Sequence, residues 1–404
     1  MLPDQMETHR AESNPEPTED LSMPSWREVF LYFLMLGFVN IGGPVAQITM
    51  MYNHMVERKH WLSNDRFVKI MSFCHLLPGP EALQLAIYVG YLKRQLLGGI
   101  VAGLTFILPG AVTMIILSWL YVVYGSLPQV NSVLYVLKPA VLGIIGAGII
   151  KLGRASITTV FLAVLLVLAF AAMYFARINF LLIMIAAGFF NYLFTDGWMW
   201  LRRRASIFKL TLPLCLGAVM TTLPFLSSRW FQMSWLFLKT GTFSFGGAYA
   251  SIIFLERGAV AEHGWLTGGQ LLDGVALSVA TPGPFMLFTT FVGYLTGGIG
   301  GAILATFLVF LPSFVFVLVG ARYFEQVRRN RFIQEFLAGA SAAVVGIIIV
   351  VSLDLAPEAV AGVTGIFVAL VAFLLITFLK VDVAVVAVGS LATGILYATA
   401  RGLY

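Results

Sequence analysis

Long apolar runs recur along the chain and decide what it can fold into. From about position 30 onward, stretches close to 20 residues long and poor in charge follow one another to the C-terminus. A helix of about 20 apolar residues crosses a hydrocarbon core of ~30 Å, and in lipid only helices or closed barrels satisfy the backbone polar groups. Since the runs lack the alternation of barrel strands, we predict an all-α polytopic membrane protein.

The composition excludes a soluble fold of this size. Hydrophobic residues make up 59% of the 404 residues and charged residues 11%, against roughly 25% charged residues in soluble domains. The net charge of +6 does not indicate nucleic-acid binding, because the basic residues lie in short loops that orient a membrane protein. Cys74 and Cys215 lie in apolar segments and predict neither a disulfide framework nor a metal site.

Thirteen apolar segments are separated by charged or turn-rich breaks. They cover about 30–52, 70–92, 98–124, 133–150, 157–175, 178–195, 208–226, 234–256, 272–295, 298–320, 332–352, 359–379 and 381–400. Residues 1–25 are polar and rich in Pro and Glu, a composition that predicts a disordered tail.

The second half of the chain repeats motifs of the first half in the same order. The pairs are Gly37-x4-Gly42-Gly43 with Gly241-x4-Gly246-Gly247, Trp61-Leu62 with Trp265-Leu266, Leu77-Pro78-Gly79-Pro80 with Thr281-Pro282-Gly283-Pro284, and Leu108-Pro109 with Leu311-Pro312. This order at a spacing near 204 residues indicates a duplication, with six segments in each copy and segment 208–226 between them. We therefore predict a first repeat at 26–198, a connector with one lone helix at 199–231, and a second repeat at 232–404.

The charges of equivalent loops predict that the two repeats have inverted topology. The loop 125–132 has no Lys or Arg, whereas its partner in the second repeat carries Arg322, Arg328, Arg329 and Arg331. Before the Pro-Gly-Pro motif the contrast is reversed, with Arg58, Lys59, Arg66 and Lys69 in the first repeat against Arg257 in the second. Opposite charge bias is what the positive-inside rule requires of inverted repeats. The first two segments of each repeat either both span the membrane or both form re-entrant hairpins, and basic residues on both sides of 70–92 favour hairpins.

The breaks in the apolar segments are the candidate substrate site. Pro-Gly-Pro removes two backbone donors and breaks a helix, and broken helix at membrane depth is tolerated where it is buried in protein or lines a wet cavity. The helix that resumes after the break points free N–H groups inward, and helix N-termini bind anions. Close helix packing is the alternative explanation of single Gly and Pro motifs, but four breaks repeated in register favour a substrate site.

The candidate substrate-binding residues are the breaks and the polar side chains near them. They are Asn40, Gly42, Gly43, Gln47, Pro78, Gly79, Pro80, Glu81, Gln84, Lys239, Ser244, Gly246, Gly247, Tyr249, Thr281, Pro282, Gly283 and Pro284. Glu81 fits a proton-coupling group and equally a carboxylate that stabilises the first helical turn. Lys239 fits a substrate ligand or a side chain that snorkels to the interface.

These motifs together resemble the chromate ion transporter family. In the first repeat the resemblance is carried by Gly42-Gly43-Pro44, Trp61, and the run from Leu77-Pro78-Gly79-Pro80 to Ala86. In the second repeat it is carried by the run 245–250, by Gly264-Trp265-Leu266-Thr267 and by Thr281-Pro282-Gly283-Pro284. The resemblance implies a multi-pass protein of the plasma (cell inner) membrane that exports chromate, a divalent oxyanion similar to sulfate. It also implies coupling to the membrane potential or a proton gradient, without a cofactor.

Our leading hypothesis is a transporter for a small oxyanion, with chromate first and sulfate next. A transporter or channel for another small anion is the nearest alternative. An intramembrane enzyme is not expected, because the sequence has no carboxylate pair, His-rich spacing or Ser/His set at a shared depth. The lipid bilayer is the expected partner, and the sequence leaves the oligomeric state open, a homodimer included.

Overall fold

A computed structural model describes residues 24–39, 44–125, 127–200, 228–245, 247–323 and 330–400. In the first repeat the helices are α1 (Trp26–Val39), α2 (Pro44–Tyr52), α3 (Asn64–Cys74), α4 (Glu81–Tyr124), α5 (Pro128–Ser156), α6 (Val160–Tyr174) and α7 (Phe180–Trp200). In the second repeat they are α8 (Arg229–Phe243), α9 (Ala250–Leu255), α10 (Gly268–Val279), α11 (Phe288–Gly320), α12 (Arg331–Ala359), α13 (Gly362–Thr377) and α14 (Val383–Ala400). Short π turns follow α2 and α9 at Asn53–Arg58 and Glu256–Glu262.

The described helices agree with the predicted fold class. Regular structure within these ranges is helical throughout, and five helices are long and apolar enough to cross a membrane: Glu81–Tyr124, Pro128–Ser156, Phe285–Gly320, Arg331–Ala359 and Val383–Ala400. The all-α membrane fold is thereby confirmed. The tail up to residue 23 and the predicted lone segment 208–226 lie outside the described residues.

The first apolar segment of the chain folds as a helical hairpin. Tyr32 of α1 stacks on His54 with ring centroids 3.8 Å apart, and Glu28, one turn earlier, accepts an ion pair from Lys59 at 3.3 Å. The later residue Lys59 thus lies beside the earlier residue Glu28, which means that the chain after α2 runs antiparallel to α1. The equivalent pair in the second repeat is Leu236 and Gly258, which are also in direct contact.

The Pro-Gly-Pro motif lies at the tip of a second helical hairpin in each repeat. In the second repeat Ser278 bonds to Phe285 across the turn, and Gly274 packs on the ring of Phe291. In one continuous helix residues 274 and 291 would be about 25 Å apart. We name residues 64–93 and 268–296 the first and second proline hairpins. The structure therefore favours hairpins over simple spans for the first two segments of each repeat.

After each proline hairpin the chain reverses again and begins a full-length helix. The reversal lies inside α4 at Arg94 and Gln95 and inside α11 at Gly297 and Gly298. Small residues permit it, because Gly90 packs on the backbone of Gly98 and Gly293 packs in the same way on Gly301. The repeated glycines thus serve close helix packing.

The long parts of α4 (96–124) and α11 (299–320) form the antiparallel centre of the molecule. Gly99 contacts Leu318, and Gly103 contacts Phe314. Partner numbers that rise in one helix and fall in the other mean that these equivalent helices run in opposite directions. The two repeats are therefore inverted relative to each other, as the loop charges predict.

The outer helices are exchanged between the repeats. α5 packs against α13 and α14, and in return α12 packs against α6 and α7. Equivalent glycines make the closest approaches, since Gly143 contacts the Ala369 carbonyl and Gly346 contacts the Leu166 carbonyl. A pseudo-two-fold relation of this kind makes each contact occur twice.

Candidate substrate site between the two repeats

The first proline turn, Pro78–Pro80, is buried against residues of the second repeat. The Gly79 N–H donates to the Ser244 carbonyl oxygen at 3.1 Å. Gly79 has a φ of +114°, which favours glycine, and a Cβ at this position would lie 2.6 Å from Ser313 Oγ. Ser244 follows α8 and Ser313 lies in the long part of α11. The first turn therefore contacts two parts of the second repeat: the residues that follow α8, and α11 next to Pro312.

The second proline turn, Pro282–Pro284, is seated in the reciprocal way on the first repeat. Gln47 Nε2 donates to the Gly283 carbonyl oxygen at 3.3 Å. A Cβ on Gly110, which follows Pro109 in α4, would lie 2.5 Å from the Pro282 carbonyl oxygen. Each Pro-Gly-Pro motif therefore lies at the interface between the repeats, beside the Leu-Pro motif of the opposite repeat.

Different side chains close the two turns. In the first, the buried Gln84 amide donates to the Pro78 carbonyl oxygen at 2.6 Å. In the second, the Ser278 hydroxyl donates to the Phe285 carbonyl oxygen at 2.6 Å, while the Thr281 hydroxyl donates to the Ser278 carbonyl oxygen at 3.2 Å. These bonds stabilise the breaks between the helices, because they satisfy carbonyl groups that a continuous helix would bond internally.

The first proline turn offers donors that suit an anion. The first N–H groups of α4, which starts at Glu81, have no intrahelical partner and form the positive end of the helix dipole. Ser313 Oγ is fully buried beside Gly79 and has no hydrogen-bond partner within the described part of the chain. Glu81 lies in the first turn of the helix, 3.0 Å from His75 Nδ1. A backbone-lined site of this kind can hold negative charge without a metal.

The remaining predicted site residues have mixed placements. Asn40, Gly42, Gly43 and Gly246 lie outside the described residues. Tyr249 lies near the second turn, with its ring 5.0 Å from that of Phe285 and against Gly148 of α5. Gly247 has a φ of +90°, and within the described part of the chain no atom lies within 4 Å of a Cβ added there. Lys239 lies over the Trp235 ring on its own helix, 5.4 Å from the centroid.

Five residues of the interface were missed by sequence reasoning. Gly110 and Ser313 follow the repeated Leu-Pro motifs, so the repeat itself contained the signal that could have found them. Lys138 and Tyr121, which are partly buried, form a polar cluster with the buried Asp273: Asp273 Oδ2 lies 3.2 Å from Lys138 Nζ and accepts from the Tyr121 hydroxyl at 2.9 Å. These three residues come from three segments, and no local pattern relates them. Among the described residues no group of three or more His, Cys, Asp or Glu could hold a metal ion.

The chain is similar to known proteins along most of its length. The family model described as Chromate transporter matches residues 27–192 and again residues 231–395. The chromate transport protein of Cupriavidus metallidurans is 34% identical over 377 residues, which cover 91% of this chain and 92% of that protein. The chromate transport protein of Pseudomonas aeruginosa is 36% identical, covering 87% of this chain and 86% of that protein.

A third relative extends the similarity to a cyanobacterium. The probable chromate transport protein of Synechococcus elongatus is 33% identical, covering 80% of this chain and 83% of that protein. No solved structure matches the chain. Because the family model matches both repeats and these relatives align over most of their length, this chain is a multi-pass membrane transporter that belongs to the chromate transporter family.

Proposed function

We propose that this protein is a secondary transporter that carries chromate out of the cell across the plasma (cell inner) membrane. The observation that supports this most is the reciprocal seating of the two proline turns, each held by residues of the opposite repeat. Broken helices at the interface of inverted repeats are where secondary transporters bind substrate. The names of the relatives supply the candidate anion, and sulfate is the second candidate because it has the same charge and shape.

The proposed binding groups are backbone amides and hydroxyls. The N–H groups at the start of α4, together with the unpaired Ser313 hydroxyl, would face the oxyanion beside the first turn. Gln47, Tyr249 and Thr281 would complete the site from the second turn. Amides suit a dianion because they donate hydrogen bonds and carry no mobile proton.

The proposal includes alternating access by exchange of the two proline hairpins between packed and exposed states. In the second proline hairpin, α10 packs on α4, α5, α12 and α14. In the first, α3 packs mainly on α4, whose first part is the other arm of the same hairpin, and Asn64, Asp65 and Lys69 are exposed. Inverted repeats allow each hairpin to adopt the packing that the other has now, and this exchange moves the opening from one side to the other.

The proposal extends to organisation and location. The chain would consist of repeats at 26–198 and 232–404, joined by a connector with a single transmembrane helix, with the basic loop around Arg202–Arg204 in the cytoplasm. A homodimer is compatible with this arrangement and is not required by it, because both proline turns are completed within one chain.

Chromate uptake into inside-out vesicles tests the proposal. We expect saturable uptake that sulfate inhibits and that depends on an imposed gradient, since a carrier binds its substrate in each cycle. Linear, non-saturating flux would instead favour a channel. Absence of chromate flux from vesicles that contain correctly inserted protein would refute the chromate assignment, and a parallel sulfate measurement would then identify the alternative anion.

A further inference from the structure

The second proline hairpin carries a buried carboxylate that the substrate site does not use. Asp273 lies in α10 and is 1% exposed. Its Oδ2 atom is bonded to Lys138 and Tyr121, while its Oδ1 atom has no hydrogen-bond partner within the described part of the chain. A buried charged atom without a partner costs free energy, and in membrane proteins such groups are usually functional.

The bonds of Asp273 join the two repeats. Lys138 belongs to α5 and Tyr121 to the end of α4, so both partners come from the first repeat. Together they hold the second proline hairpin in its packed state. An ion pair that bridges two moving bodies can be broken only if its charge is removed or replaced, because separating the buried charges is costly.

The charged groups around Asp273 include a second carboxylate. Glu358 of α12, which is exposed, accepts a hydrogen bond from the Gly269 N–H, and a Cβ on Gly269 would also lie 3.4 Å from Lys138 Nζ. The charged or titratable groups that act on Asp273 are therefore Lys138, Tyr121 and Glu358. Of the other elements packed on α10, α11 and α14 contain no Asp, Glu, Lys, Arg or His. The π turn Glu256–Glu262 carries Glu256, Arg257 and Glu262, and Arg257 pairs with Glu256 and with Asp354. Two carboxylates therefore lie near a single ammonium, which pairs with Asp273, and binding of one proton would remove the excess negative charge.

The first repeat lacks this cluster. At the position equivalent to Asp273 it has Lys69, which is exposed and pairs with Asp65 on its own helix. At the position equivalent to Lys138 the second repeat has Ser341, so Lys69 has no matching partner across the interface. The two proline hairpins are therefore held by different chemistry, and only the second can respond to the charge of a carboxylate at this position.

We propose that Asp273 is the proton-binding site that couples transport to a proton gradient. The proton comes from the aqueous phase by way of the exposed Glu358 carboxylate and forms an O–H bond on Asp273. The neutral acid no longer attracts the Lys138 ammonium, so the second proline hairpin is free to leave α5. Loss of the proton restores the ion pair and closes this side again. The inference rests on the proposed transport function and names the group that couples it.

Asp273→Asn tests the site because asparagine mimics the protonated acid. In proteoliposomes we would measure chromate accumulation driven by a pH gradient, and separately chromate–chromate exchange at equal pH on both sides. We expect Asp273→Asn to lower driven accumulation by about tenfold or more, and its exchange to stay near the wild-type rate and to lose its dependence on pH. Lys69→Gln, at the equivalent position of the first repeat, is the matched control and should leave both fluxes unchanged.

Two outcomes overturn the inference. Wild-type driven accumulation and a wild-type pH profile in Asp273→Asn would mean that the proton binds elsewhere. An equal loss of both fluxes, in protein that is inserted normally, would mean a purely structural role. An infrared titration of the purified protein needs no substrate and separates this inference from the transport proposal. It should show a carboxylic acid signal that is absent from Asp273→Asn, even if chromate is not the anion carried, and a signal that remains would contradict the assignment.

Discussion

The two proline hairpins have the same motif and opposite environments. The first carries charged residues along α3 and exposes them, and α3 packs mainly on α4, which includes the other arm of its own hairpin. The second has ten buried residues in α10 and is enclosed by helices of both repeats. Their turns, however, make equivalent contacts, because each turn packs on the residue that follows the Leu-Pro motif of the other repeat. The repeats thus share a fixed centre and differ at the hairpin bodies, which is the difference that a two-state transporter needs.

This difference also assigns separate tasks to the parts of each hairpin. The turns leave little space for a side chain, because a Cβ on Gly79 would meet Ser313 Oγ and a Cβ on Gly110 would meet the Pro282 carbonyl oxygen. The hairpin body is held by side chains that differ between repeats, with Asp273 in one and Lys69 in the other. Substitutions in the turns test the shared centre, and substitutions in the bodies test the asymmetry.

The largest effect is expected from blocking the shared centre. Gly110→Leu places a side chain where the Pro282 carbonyl oxygen lies, and Gly79→Leu does the same against Ser313 Oγ. The Pro282 backbone cannot yield cheaply, and the φ of +114° at Gly79 is strained for any residue with a side chain, so both substitutions should abolish chromate transport. Transport in vesicles and protein amount in the membrane are the measurements. Gly389→Leu is the control, since no atom of the described residues lies within 4 Å of a Cβ added at Gly389. Full transport in either turn variant would break the equivalence of the turns.

A large difference is expected in the accessibility of the hairpin bodies. In a background with Cys74 and Cys215 replaced by alanine, Lys69→Cys should react with a membrane-impermeant maleimide in inside-out vesicles, because Lys69 is exposed. Asp273→Cys should react slowly from either side, because the position is buried. Equal rates for the two cysteines would remove the asymmetry on which alternating access depends.

A moderate effect is expected from the bonds that close the turns. Gln84→Leu removes the donor to the buried Pro78 carbonyl oxygen and should lower stability by about 1–3 kcal/mol. Ser278→Ala removes the shorter side chain of the second turn and should cost about 1 kcal/mol. The thermal unfolding midpoint of the detergent-purified protein measures both. An unchanged midpoint for Gln84→Leu would show that the turn does not depend on this bond.

The smallest effect is expected at the surface of the first hairpin of the chain. Glu28 and Lys59 are both about half exposed, with side-chain accessibilities of 47% each, and exposed ion pairs contribute roughly 0–1 kcal/mol. Glu28→Gln should therefore leave transport unchanged and the unfolding midpoint nearly so. A large loss of transport or of stability in Glu28→Gln would mean that this exposed ion pair stabilises the first repeat, as the Asp273–Lys138 ion pair is proposed to hold the second proline hairpin.

Much of this architecture could be predicted from the sequence because duplication leaves motifs in order. The repeated Pro-Gly-Pro and Leu-Pro motifs predicted two copies, and the loop charges predicted their inversion. Segment length could not separate a span from a hairpin, because α3 and the first part of α4 together contain enough apolar residues for one crossing. The contacts between Gly274 and Phe291 and between Tyr32 and His54 resolve that choice.

The candidate site was predicted in part for a similar reason. Backbone breaks are visible in sequence, so the proline turns could be named. The Asp273 cluster could not, because Tyr121 and Asp273 lie 152 residues apart, and a single aspartate near a loop is most simply taken as a surface charge. Lys239 lies within an apolar run, where a buried functional cation is expected, yet its side chain lies over a tryptophan of its own helix.

The central claim is that an oxyanion is held between the proline turns of opposite repeats. The most direct test is an anomalous difference map at the chromium absorption edge, from crystals grown with chromate. If the anion binds between the proline turns, the map will show one strong peak beside Gly79 and Ser313, within reach of the second turn at Gly283. A peak at Lys239, at Lys138 or at the protein surface, with none between the turns, would contradict it.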